Sequence, residues 1–151
     1  MLVNARASSG GKSVERILIV DDEVQVCSSL RRLFRREGFE VETAEGGPDA
    51  LLKLDAFRPD VVLSDFRMPR MSGAELLAEV RKRLPQALRI ILSGYADLTP
   101  IMASVQEGEV SRFINKPWDN DTLVSSIRAM LVPRSSQPRE PADLRTGERN
   151  E

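Results

Sequence analysis

The stretch RILIVDDE, from Arg16 to Glu23, joins a run of aliphatic residues directly to three carboxylates. Aliphatic side chains at successive positions lie on both faces of a strand, which is the pattern of a strand covered on both sides. In open parallel sheets, ligands bind beyond the carboxyl ends of the strands. The stretch therefore predicts a buried strand that ends at a polar site.

Similar aliphatic runs recur along the chain and alternate with segments of helical spacing, such as Val26, Leu30 and Leu33. Alternation of this kind implies right-handed crossovers and a doubly wound α/β fold, with helices on both faces of a parallel sheet. Thr99 and Pro100 predict one helix start, with Thr99 as the N-cap residue. The five predicted strands are Arg16–Val20, Glu40–Thr43, Asp60–Ser64, Arg89–Leu92 and Arg112–Asn115.

Composition divides the chain into three parts. Residues 1–15 are rich in Ser, Gly and Ala and are predicted to be a flexible leader. Residues 16–132 carry the alternating pattern and are predicted to form one domain. Residues 133–151 have few apolar side chains, so we expect a disordered polar tail and no second domain.

Charge and residue usage limit the classes of function. The chain has 22 basic and 23 acidic residues, a net charge of -1, and no histidine. We therefore expect neither a nucleic-acid nor a membrane partner, and neither Ser-His catalysis nor a His-containing zinc site. The single cysteine, Cys27, and the lack of a signal peptide or a spanning segment favour a cytoplasmic location.

Polar residues follow four of the five predicted strands. Taken alone, each is most simply interpreted as a solvated loop residue, but carboxyl ends of parallel strands lie at one edge of a sheet. The four strands would therefore bring carboxylates, a hydroxyl and an ammonium together. The residues are Asp21 and Asp22 after the first strand, Asp65 after the third, Ser93 after the fourth and Lys116 after the fifth.

This set of side chains predicts phosphoryl chemistry. Neighbouring carboxylates repel one another, and a hard divalent cation such as Mg2+ (or Mn2+) relieves that repulsion. Lys116 would neutralise one phosphoryl oxygen and Ser93 would donate a hydrogen bond to another. A carboxylate can itself attack phosphorus, so the set also contains a candidate nucleophile among its carboxylates.

Four sequence blocks resemble the receiver domain of bacterial two-component response regulators. They occur in the family's order, and the resemblance covers about residues 16–132. It implies a flavodoxin-like (βα)5 fold with strand order 2-1-3-4-5. The blocks are VDDE (Val20–Glu23), LSDFRMPRMSG (Leu63–Gly73), LSG (Leu92–Gly94) and NKP (Asn115–Pro117).

The resemblance implies a role for each matching residue. Asp65 would be the phosphoacceptor. Ser93 and Lys116 would contact the phosphoryl group, and Phe113, with Ser93, would form the switch. Asp21, Asp22, Asp65 and the backbone carbonyl of Arg67 would bind Mg2+, and the bond before Pro117 would be cis.

Some positions depart from the commonest family pattern. Phe113 has no hydroxyl, so a switch there would act through packing. Arg67 and Tyr95 are bulky at positions that influence access of water to the acyl phosphate, so we expect them to alter its lifetime. Trp118 is interpreted as a partly buried packing residue.

The resemblance as a whole implies a single-domain response regulator of a phosphorelay. Its phosphodonor would be a sensor histidine kinase or a histidine phosphotransfer protein, and its effector would bind the face formed by residues 97–131. We expect self-phosphorylation and slow autodephosphorylation but no conventional enzyme activity. The alternatives are a receiver-like scaffold that is never phosphorylated and a Mg2+-dependent phosphatase of the haloacid dehalogenase type.

Overall fold

The computed structural model describes residues 14–94 and 98–136 of the 151-residue chain. Five strands and five helices alternate along it. The strands are β1 (Arg16–Val20), β2 (Glu40–Ala44), β3 (Val61–Asp65), β4 (Leu88–Ser93) and β5 (Arg112–Asn115). The helices are α1 (Val24–Arg36), α2 (Gly47–Phe57), α3 (Gly73–Arg83), α4 (Leu98–Gln106) and α5 (Asn120–Ser136).

The strands form one parallel sheet in the order β2-β1-β3-β4-β5. In the register, Val20 of β1 pairs with Ala44 of β2 and with Ser64 of β3, and Ser93 of β4 pairs with Asn115 of β5. The carboxyl ends of the strands therefore lie side by side. The predicted fold and strand order are confirmed.

The central strands are buried on both faces because their side chains alternate between two packed layers. Leu18 and Val20 of β1 belong to one apolar cluster that also includes residues of α2, α3 and α4. The buried residues of α1 are not part of that cluster, and α1 contacts β1 and β2. Helix α1 therefore covers the opposite face, beside Ile17 and Ile19.

A buried arginine joins two loops at the amino-terminal edge of the sheet, opposite the strand ends that carry the polar residues. Arg89, near the start of β4, donates from its guanidinium to four main-chain carbonyl oxygens at 2.8–3.1 Å. Two of them belong to the loop between α3 and β4, and two to the loop between α4 and β5. They are the carbonyls of Pro85, Ala87, Gly108 and Glu109.

Two helix boundaries differ from those predicted. Helix α4 begins at Leu98, so Thr99 and Pro100 lie within its first turn and Thr99 is not the N-cap residue. Proline is accepted there because amides of the first turn have no partner within the helix. Helix α5 ends at Ser136, four residues beyond the predicted domain boundary at residue 132. Loss of apolar residues marks the end of burial, whereas a helix continues as long as each residue adds a backbone hydrogen bond.

The chain divides into two compact units between Trp118 and Asp119. In the second unit, Asp119 precedes α5 and accepts hydrogen bonds at Oδ2 from the main-chain amide and the hydroxyl of Thr122, at 2.9 and 3.0 Å. These bonds stabilise the first turn of the helix. Within residues 14–94 and 98–136, every helix is too short or too polar to cross a lipid bilayer.

Candidate phosphoryl site at the strand ends

Three carboxylates lie together where β1 and β3 end. Carboxylate oxygens of Asp21, Asp22 and Asp65 are all within 4.8 Å of one another. Asp21 is 2% exposed, Asp65 is half-buried and Asp22 is exposed to solvent. The predicted acidic residues are therefore brought to one place, with one deep and one accessible carboxylate.

The buried member of this cluster is destabilised as an anion. Burial raises the pKa of Asp21 from 3.8 to about 6, and the charges of Asp65 and Asp22 act in the same direction. The main-chain amide of Glu23, which donates to Asp21 Oδ1 at 2.9 Å, and the charge of Lys116 oppose the rise in pKa. A cation bound among these oxygens would stabilise the charged form.

Lys116 joins the acidic cluster from the loop after β5. Its Nζ donates to Asp65 Oδ1 at 2.7 Å, and the side chains are 32% exposed for Lys116 and 12% for Asp65. Burial alone would lower the pKa of Lys116, but the hydrogen bond to Asp65 and the charges of Asp65, Asp21 and Glu23 outweigh it, so the pKa is raised. The lysine is therefore charged and already in place beside the candidate nucleophile.

The ends of β4 and β5 are connected through the same lysine. Ser93 ends β4 and is 3% exposed, and its carbonyl accepts a hydrogen bond from the main-chain amide of Lys116 at 2.9 Å. The bond between Lys116 and Pro117 is cis. Phe113 is half-buried and packs against the apolar cluster. Trp118 is also half-buried.

The loop after Asp65 is fixed at its base by close main-chain packing. The hydroxyl of Ser64 donates to the carbonyl of Asp65 at 2.8 Å, and the amide of Gly73 donates to the carbonyl of Phe66 at 2.8 Å. A Cβ atom on Gly73 would collide with the carbonyl oxygen of Asp65 and would lie 3.0 Å from Cα of Phe66. Glycine is therefore required where α3 begins against the end of β3.

Two of the residues expected at this site, Arg67 and Tyr95, are not part of the cluster of side chains described above. Arg67 lies in the loop two residues after Asp65 and is exposed. Tyr95 lies outside the described residues, as do Asp97, most of the predicted leader and all of the predicted tail after Ser136. The roles of Gly73 and Ser64 at the base of this loop were not predicted from the sequence. A glycine at the first position of a helix was the available signal for the close approach.

The donor set fits a hard divalent cation. Three carboxylates with an accessible member are the kind of oxygen ligands that Mg2+ prefers, and a bound cation would oppose the effect of burial and like charge, which together raise the pKa of Asp21. No histidine or second cysteine is available to the site, so soft-metal ligation does not apply.

The family model of the response regulator receiver domain matches residues 17–128. The chain belongs to this family. The receiver domain is also similar to a solved response regulator receiver domain protein from Clostridium thermocellum. The TM-score is 0.75 at 29% sequence identity, covering 80% of this chain and 97% of that chain. The resemblance drawn from the four sequence blocks is thereby confirmed, and the chain is the receiver domain of a two-component response regulator. Receiver domains bind Mg2+ at an acidic pocket, and Asp21, Asp22 and Asp65 form such a cluster.

Curated relatives of the receiver domain are longer proteins. It is 40% identical over 121 residues to the hydrogenase transcriptional regulatory protein HoxA of Cupriavidus necator, covering 80% of this chain and 25% of that protein. It is 32% identical over 125 residues to the DNA-binding transcriptional regulator NtrC of Escherichia coli. That match covers 82% of this chain and 26% of NtrC. The chain thus spans about a quarter of these relatives. Because they are transcriptional regulators, they lend no support to the expectation that nucleic acid plays no part.

Proposed function

We propose that the receiver domain accepts a phosphoryl group onto Asp65 from a phosphohistidine of a sensor histidine kinase or a histidine phosphotransfer protein. The observation that carries the proposal is the hydrogen bond from Lys116 Nζ to Asp65 Oδ1 at 2.7 Å, beside two further carboxylates. A structural salt bridge would not need the additional negative charges, one of them buried at Asp21. A phosphoryl site does need them, because they hold the metal.

The transfer step uses the carboxylate that Lys116 holds. A bond forms between one carboxylate oxygen of Asp65 and phosphorus as the bond between phosphorus and the donor's imidazole nitrogen breaks. That nitrogen keeps the electron pair, and the imidazole takes up a proton from solvent. Lys116 then neutralises a phosphoryl oxygen, and the hydroxyl of Ser93 donates to another.

The metal would be held by Asp21, Asp22, Asp65 and the backbone carbonyl of Arg67. When bound, Mg2+ (or Mn2+) offsets the negative charge that the carboxylates and the phosphoryl oxygens bring to one another. Asp21 must be a carboxylate to take part, and burial opposes that charge. Metal and proton therefore compete for the same site.

The phosphorylated form would favour a different partner-binding surface. The acyl phosphate carries more negative charge than the carboxylate and draws Ser93 and Lys116 toward it. Phe113, which has no hydroxyl, follows through packing against the apolar cluster. The effector protein would bind the face formed by residues 97–131, and Arg67 and Tyr95 would set the lifetime of the acyl phosphate. The buried thiol of Cys27 is consistent with the reducing cytoplasm.

The test is stoichiometric labelling of the purified protein with acetyl phosphate and Mg2+. Intact-mass measurement should show one phosphoryl increment on the wild type and on Asp55→Asn, which changes an exposed carboxylate of α2, but none on Asp65→Asn. Amide resonances of residues 98–131 should shift in the labelled protein only. Labelling of Asp65→Asn would overturn the proposal. An unlabelled wild type would indicate a scaffold, and multiple turnover of an aryl phosphate would indicate a phosphatase.

A further inference from the structure

The loop that follows Asp65 is supported at its tip by a glycine of another element. Gly47 is the first residue of α2 and is buried, and the side chain of Met71 from the β3–α3 loop packs directly over it. Met71 is also in contact with the apolar cluster beneath the sheet face that α2 and α3 cover. The start of α2 is therefore in contact with the loop that follows Asp65.

The space at Gly47 leaves no room for a side chain. A Cβ atom built there would lie 2.9 Å from both Cβ and Cγ of Met71. Because Cβ of Met71 is bonded directly to the main chain, rotation of the methionine side chain cannot remove that conflict. The main chain of the β3–α3 loop would have to move instead. Gly47 has no positive φ, so the conflict comes from packing and not from backbone strain.

The loop between Asp65 and Gly73 is thus held at two points. At its base, the amide of Gly73 binds the carbonyl of Phe66, and at its tip Met71 rests on Gly47. The loop makes a tight turn before its tip, where the amide of Met71 donates to the carbonyl of Pro69 at 2.8 Å. This turn restricts the conformational freedom of the loop between the two supports. Arg67, whose carbonyl is the expected metal ligand, lies between the two supports.

We propose that Gly47 and Met71 are positioning residues that hold the Arg67 carbonyl at the metal site. The inference rests on the proposed function, because it concerns the same metal. Groups that orient a metal ligand without touching the metal commonly alter metal affinity about 10- to 100-fold when they are changed. On the solvent side, the same two segments line an open cleft of about 320 Å³, so the loop has space to move outward. Substitution at Gly47 should therefore weaken metal binding and leave the fold intact.

The experiment measures the Mg2+ dissociation constant by amide NMR titration, together with the free energy of unfolding without metal. Gly47→Ala should weaken Mg2+ binding about 10-fold while the spectrum of the sheet is retained. Gly46→Ala is the matched control, because a Cβ atom there would meet only Pro48 Cδ, at 4.0 Å. Its Mg2+ affinity should stay within about twofold of the wild type.

Met71→Ala provides a second, independent variant because it shortens a half-buried loop side chain without creating a collision. Loss of support at the tip should weaken Mg2+ binding about threefold or more in the folded protein. Wild-type affinity in Gly47→Ala, or in Met71→Ala if Gly47→Ala fails to fold, would overturn the inference. Failure of the wild type itself to bind Mg2+ would instead overturn the proposed function.

Discussion

At the scale of single residues, the burial of Asp21 beside two other carboxylates raises its pKa. Asp21 is 2% exposed and shares its surroundings with Asp22 and Asp65, so burial and like charge together raise its pKa from 3.8 to about 6. The folded state therefore binds the proton more tightly than the unfolded state. The contribution of Asp21 to stability is most favourable below about pH 4, declines as the pH rises toward about 6, and is constant above that.

Replacing this carboxylate should stabilise the metal-free protein. A rise of two pKa units corresponds to about 3 kcal/mol, so Asp21→Asn should increase the free energy of unfolding by about 1–3 kcal/mol near pH 7.5. The gain should disappear near pH 4, where Asp21 of the wild type is protonated. Urea unfolding at both pH values measures this, with Asp55→Asn on the exposed side of α2 as the control. A less stable Asp21→Asn near pH 7.5 would contradict the explanation.

At the scale of elements, α3 begins in a way that its sequence specifies. The hydroxyl of Ser72 accepts from the amide of Glu75 at 3.1 Å, and the carboxylate of Glu75 accepts from the amide of Ser72 at 2.9 Å. This reciprocal pair satisfies two amides that the helix itself cannot. It sets the first turn of α3 immediately after the loop that follows Asp65.

Removal of the cap should cost stability without removing the site. Ser72→Ala should lower the free energy of unfolding by about 1 kcal/mol, because the amide of Glu75 loses its acceptor. Urea denaturation measures the change. Ser29→Ala in α1 is a matched control, since Ser29 is exposed in a helix interior where alanine is at least as favourable. Equal effects of the two substitutions would show that the capping hydrogen bonds contribute nothing.

Elements were more predictable from the sequence than their ends and contacts. All five strands were predicted within about one residue at either end, because aliphatic runs record burial directly. The start of α4 was predicted wrongly, because a proline is accepted at several positions of the first helical turn and does not fix where the helix begins. The contact between Gly47 and Met71 could not be predicted, since it depends on how closely the start of α2 and the β3–α3 loop approach after folding.

At the scale of the whole molecule, the carboxyl and amino-terminal edges of the sheet carry different kinds of residues. The proximity of Asp21, Asp22, Asp65 and Lys116 at the carboxyl edge was predictable, because parallel strands bring their ends together regardless of side-chain detail. The difference in burial between Asp21 and Asp22 was not predictable, because the two are neighbouring residues of the same type. The amino-terminal edge instead holds Arg89, whose guanidinium joins two loops.

Loss of this guanidinium should destabilise the whole domain. Arg89→Met keeps much of the apolar volume but leaves four carbonyl oxygens without this donor, and buried groups of this kind cost about 1–3 kcal/mol each when unsatisfied. Water can replace some of the lost hydrogen bonds. We therefore expect Arg89→Met to lower the free energy of unfolding, measured by urea denaturation, by about 3 kcal/mol or more. Arg32→Met, on the exposed side of α1, should change the free energy of unfolding by less than about 0.5 kcal/mol. A similar effect of both would show that Arg89 is dispensable.

The double attachment of Lys116 has a consequence for how the two halves of the carboxyl edge respond to each other. Its ammonium binds Asp65 at the end of β3, and its main-chain amide binds Ser93 at the end of β4. Conversion of the carboxylate to an acyl phosphate, as proposed above, would change the first attachment, and the second attachment belongs to the same residue. Lys116 alone would therefore transmit that change from β3 to β4, without a chain of intervening side chains.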